Sequence, residues 1–115
     1  MDDFETLVAE TVRVLAPAGR VVYAGPHPCF VGPHSRFVAA MGIPELYRGY
    51  DERERYTDAI GISPTGLRAR VGAVHLPLGD LVRAFLRAGL RIEAFEEPVC
   101  PPREYPHWLA LRAAR

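Results

Sequence analysis

Arg13-Val14-Leu15-Ala16-Pro17-Ala18-Gly19-Arg20-Val21-Val22-Tyr23-Ala24 is the stretch that decides the fold. Its hydrophobic period changes in the middle. Before it, Phe4, Leu7, Val8, Thr11, Val12 and Leu15 fall at i, i+3, i+4, i+7, i+8 and i+11, one stripe of an amphipathic helix. Asp2 is placed to cap that helix, with Glu5 three residues on completing a capping-box pattern. Pro17 and Gly19 stop it. Arg20 to Ala24 then reads as a strand, and its unbroken apolar run suits one covered on both faces. A helix-to-strand turn of about four residues is typical of an α/β unit. Should residue 18 need a positive φ, Ala there would be strained by about 1 kcal/mol.

Beyond Ala24 the chain becomes irregular. Gly25-Pro26-His27-Pro28 breaks the strand, and Gly or Pro recurs up to Gly66. Ser35 to Met41 is compatible with a short helix, and Asp51 to Tyr56 with a loop or a solvated helical turn. Long excursions of this kind usually serve as lids or binding loops, or are disordered. Regularity returns at Pro77. Leu78, Leu81, Val82, Phe85 and Leu86 make a second helical stripe, Asp80 and Arg87 complement its dipole, and Gly89 fits the C′ position. Leu90 to Phe95 alternates as a strand, and Trp108 to Leu111 is a last apolar strand after a Pro-rich turn. The two final strands are expected to pair antiparallel. The expected organisation is one α/β domain: helix and strand over 1–25, a lid-like loop over 26–76, and a helix with two strands over 77–115.

Composition excludes several classes. The chain has 115 residues, no Lys, and a formal net charge of zero. That argues against a nucleic-acid footprint or an anionic-membrane surface. No apolar run approaches the roughly 18 residues of a spanning helix. The acidic start, Met1 to Glu5, lacks a signal-peptide pattern. With only Cys29 and Cys100, the expected setting is reduced and cytoplasmic. His27, Cys29, His34, Cys100 and His107 are zinc-ligand types, but their spacing matches no familiar zinc module, so no metal is expected. No oxyanion-hole motif accompanies Cys29.

Several segments together resemble the carboxyl-terminal half of class I S-adenosylmethionine-dependent methyltransferases acting on small molecules. Arg13 to Arg20 resembles the "RVLxPGGR" string before the fifth strand, with Ala18 replacing the first Gly of the pair. His27-Pro28-Cys29-Phe30 resembles the segment after that strand. Val74 to Asp80 resembles the entry to the next helix. Ala88 to Ile92, Phe95 to Pro98, and Pro106 to Leu109 resemble the sixth strand, its end and the seventh strand. The resemblance implies a Rossmann-like sheet of order 3-2-1-4-5-7-6, of which this chain holds strands 5, 6 and 7 with the last antiparallel.

The family's glycine-rich cofactor loop has no counterpart; no G-x-G occurs. The acidic residue after the second strand and the loop after the third are also missing. The resemblance therefore implies S-adenosylmethionine in the intact enzyme but none on this chain alone, and the start at a ready-made helix fits the loss of a preceding half. His27 and His75 are candidate general bases or acceptor-orienting groups, against the commoner reading of each as a packed histidine of a turn or helix start. Phe30, Tyr47 and Tyr50, with Phe37 and Tyr56, are candidates for an aromatic wall over a small-molecule acceptor, or for a satellite core under the loop. Glu96 and Glu97 could meet a polar substrate group or be a solvated strand end. The competing function is a non-catalytic interaction module, forming a homodimer or binding a partner chain through the exposed edge of the first strand.

Overall fold

A computed structural model of the chain describes residues 3–38, 43–56, 73–101 and 104–115. Helix α1 spans Phe4–Val14. Its N-cap is Asp3 rather than Asp2: the Asp3 carboxylate accepts the Thr6 amide at 3.1 Å and the Thr6 hydroxyl at 2.6 Å. The cap moves one residue because Asp3 is the residue three before Thr6. Strand β1 (Arg20–Pro26) follows a turn in which Ala18 has φ 65°, the left-handed region expected for that position.

The excursion after β1 carries its own strands. β2 (Ser35–Val38) pairs antiparallel with β3 (Ile43–Leu46), and β4 (Glu54–Tyr56) with β5 (Ala73–His75). The helix expected from Ser35 is thus a strand over its described part; residues 39–42, and with them its end, lie outside the described residues. Asp51–Tyr56, expected as a loop or a solvated helical turn, likewise ends as a strand. In both places the pairing partner lies further along the chain, and cross-strand pairing overrides local propensity.

Helix α2 (Leu78–Arg87) starts after Pro77, its N-cap. It closes as a Schellman motif: the Leu90 amide donates to Phe85 O at 3.2 Å and the Gly89 amide to Leu86 O at 3.1 Å, with Gly89 at φ 86°. β6 (Arg91–Glu96) and β7 (Trp108–Ala114) follow.

The main sheet has the order β1-β7-β6, with β7 antiparallel to both neighbours. β1 and β6 therefore run the same way, and their carboxyl ends share one end of the sheet. Both helices pack on one face. Val8, Leu81, Ala84, Phe85, Leu90, Leu111 and Ala113 form the core there, joined by Phe4, Val21, Tyr23 and Ile92. Among the described residues nothing covers the other face, which departs from the expectation for β1: Val21, Tyr23 and Gly25 turn inward while Arg20, Val22 and Ala24 are exposed, Val22 to 72%. On this face a bulge at Ile92–Ala94 presents Glu93 to Arg20 at 2.9 Å and Arg112 at 3.3 Å. Among the described residues β1 pairs along one edge only. No helix among them is long and apolar enough to cross a membrane.

Candidate functional site

The features of chemical interest gather at the carboxyl end of β1. A cavity of about 300 Å³ opens there, between the start of α1, the end of β1 and the β4–β5 pair. Phe4, Leu7, Tyr23, Val31, Tyr56 and Leu76 make its walls largely apolar; Arg53 and His75 are its polar members. Arg53 is already engaged. Its guanidinium pairs with Glu5 at the start of α1 and, at 3.2 Å, with Asp80 in the first turn of α2. The arginine hydrogen bond, with help from the backbone, holds the Glu5 carboxyl at about 2, far below its usual 4.5. Arg53 thereby ties the excursion to both helices.

Beneath the cavity lies a buried aromatic cluster. His75 donates its Nε2 proton to the Tyr50 carbonyl at 2.7 Å, and His34 donates its own to the Cys29 carbonyl at 3.0 Å. The two imidazole centroids stand 4.8 Å apart, and Tyr50 lies 5.3 Å from the His34 ring and 5.7 Å from the His75 ring. Burial, then the backbone bond opposing it and the nearby His34, leave His75 titrating below its ordinary value. A Cβ on Gly32 would lie 3.0 Å from His75 Nδ1 and 3.2 Å from His34 Nδ1, so a residue without a side chain is what lets the two rings approach. The Tyr50 hydroxyl accepts the Leu78 amide at 2.8 Å and stands 3.6 Å from Cys29 Sγ. Burial, followed by that thiol, raises its pKa.

His27 sits on the turn leaving β1, fully buried. Its Nδ1 accepts the Cys29 amide at 3.2 Å, which assigns the ring proton to Nε2, and Nε2 lies 2.5 Å from Glu97 Oε2. The Phe30 ring stands 5.0 Å from His27 and 5.3 Å from Tyr105.

The sequence-derived candidates are thus distributed rather than collected. His75 lines the cavity; His27 faces Glu97 instead. Tyr50 belongs to the buried cluster and Phe30 to the His27 side, and neither borders the cavity. Tyr47 is 54% exposed, with its hydroxyl on Glu45 Oε2 at 2.6 Å. The Phe37 side chain lies outside the described residues. Among the described residues no three His, Cys, Asp or Glu side chains are grouped to hold a metal ion. Sequence reasoning misses Arg53 and His34 as members of the site. Nothing local marks Arg53, whose partners lie 48 and 27 positions away.

No protein-family model matches the chain, and no curated protein matches it either. Solved structures do. The crystal structure of an S-adenosylmethionine-dependent methyltransferase from Mesorhizobium loti aligns over 98% of this chain with a TM-score of 0.68 at 23% identity. A protein of Listeria monocytogenes assigned to the same class aligns over 100% with a TM-score of 0.70 at 14% identity. The fold is that of these methyltransferase structures. The chain spans 56% of the length of each.

Proposed function

We propose that this chain is the carboxyl-terminal portion of an S-adenosylmethionine-dependent methyltransferase acting on a small organic acceptor, and that it needs a complementary half for catalysis. The observation that carries the reading is the extent of the fold match: nearly the whole chain aligns with little more than half of each methyltransferase. In this reading β1, β6 and β7 take the places of strands 5, 6 and 7, and the order β1-β7-β6 agrees with 5-7-6.

The described residues do not fit the cofactor on their own. The α1 amino end is capped by the Asp3 carboxylate, which would repel the cofactor's own carboxylate. The first amide of α2 is taken by the Tyr50 hydroxyl. Among the described residues no glycine-rich turn joins a strand to a helix. The cofactor cradle is therefore assigned to the complementary half, and this chain contributes the acceptor side. The 300 Å³ cavity is sized for a small molecule, and His75 is the imidazole on its wall. With Arg53 held by two carboxylates, the cavity favours a largely neutral, apolar body. Phe30, Tyr47 and Tyr50 remain proposed acceptor contacts, although none of them borders this cavity.

Among the described residues β1 pairs along one edge only and Val22 is exposed, which favours a second reading: an interaction module that associates through the other edge without chemistry. Co-expression discriminates the two. A neighbouring reading frame encoding a strand, glycine-rich loop and helix should yield a product that binds this chain and, in the complex, S-adenosylmethionine. A complex that forms without binding the cofactor would favour the interaction module and overturn the enzyme reading.

A further inference from the structure

The paired residues His27 and Glu97 follow the two like-directed strands of the sheet, β1 and β6, at their carboxyl ends. Both ring nitrogens of His27 are occupied, Nδ1 by the Cys29 amide and Nε2 by the carboxylate, so the imidazole has no free lone pair with which to take a proton from a ligand. Its side chain is 2% exposed. Glu97 is different. Its side chain is 48% exposed, His27 occupies one of its two oxygens, and among the described residues no arginine stands within ion-pair distance of it. With the ring in its neutral tautomer, the pair as a whole presents one negative charge. Phe30 stands against His27, with Tyr105 against Phe30, and aromatic faces attract cations.

The geometry points to Glu97 as the anchor for a cationic nitrogen of a small organic ligand, a primary or secondary ammonium, with His27 as the positioning residue that aims the carboxylate. A donor held in this way forms a charge-assisted hydrogen bond to Oε1, the stronger class of such bonds. The inference rests on the proposed function only in taking this end of the sheet as the ligand end.

The test uses the 115-residue chain and benzylammonium as probe, followed by amide NMR, with phenylacetate and benzyl alcohol in parallel. Benzylammonium should shift the amides of Cys29, Phe30 and Glu97 and bind about tenfold more tightly than phenylacetate. Glu97→Gln, nearly isosteric, should remove most of that preference. His27→Gln retains an amide donor toward Glu97 and should preserve binding; His27→Phe should lose it while the remaining spectrum is kept. Long-range ¹⁵N correlation of wild-type His27 should show the proton on Nε2. Equal binding of phenylacetate, or an unaltered benzylammonium affinity in Glu97→Gln or in folded His27→Phe, would overturn the inference. Should the variants not fold, the contrast between the two probes on the wild-type chain still decides. No methyl transfer is read, so failure here leaves the methyltransferase reading standing, and failure of the co-expression experiment leaves this one standing.

Discussion

The Tyr50 hydroxyl accepts the Leu78 amide at 2.8 Å, so the first turn of α2 is capped by a side chain of the excursion rather than by its own N-cap, Pro77. A missing cap or unsatisfied buried amide costs about 1–2 kcal/mol. Tyr50→Phe should therefore lower the Tm by several degrees. A Tm unchanged from wild type would show that the contact contributes nothing.

Ala18 is the one described non-glycine residue with positive φ. An L side chain there is strained by about 1 kcal/mol, partly offset by the greater freedom of glycine in the unfolded chain. Ala18→Gly should raise stability in urea by up to about 1 kcal/mol. Loss of stability would mean that the turn does not need glycine's freedom.

Arg53 connects Glu5 to Asp80 and predicts a pH dependence. Glu5 titrates at about 2 in the fold against 4.5 ordinarily. A carboxyl with a depressed folded pKa contributes stability that is fully present above the unfolded pKa and is lost as pH falls through the folded one. The window is therefore pH 4.5 down to about 2. Since these side chains are about 40% exposed, solvent screening holds the contribution to about 1 kcal/mol or less. Urea unfolding across that window should show a smaller acid loss for Arg53→Ala than for wild type. Identical slopes would remove Glu5 from the account.

His75 gives the opposite kind of group, a base kept neutral. Burial is the main cause and His34 adds to it. Its folded pKa lies below 6.5, so the unfolded chain binds the proton first and stability falls as pH drops below 6.5. An NMR titration should place the His75 midpoint under 6.5, and His34→Gln should move it part of the way back up. A midpoint at or above 6.5 would contradict the packing described.

The regular half of the molecule was legible in the sequence because local signals dictate it. Gly89 marks the end of α2, and the α1 stripe puts Val8 in the core. The antiparallel β6–β7 pair followed from the short connection between them. The excursion was not legible. Ser35 to Val38 is a strand because Ile43 to Leu46 pairs with it, and Glu54 to Tyr56 because Ala73 to His75 does. Local propensity does not carry such partners. The candidate histidines were visible as residue types, but their roles depend on contacts up to 70 positions away, such as His27 with Glu97. The two-sided cover expected for β1 is not found among the described residues, where Arg20, Val22 and Ala24 are exposed, because an apolar run does not say which neighbours cover it.

Isothermal titration of S-adenosylmethionine into the purified 115-residue chain tests the central claim most directly, that this chain supplies the acceptor side and not the cofactor cradle. No saturable heat is expected at micromolar concentrations of cofactor. Stoichiometric binding with a micromolar Kd would contradict it.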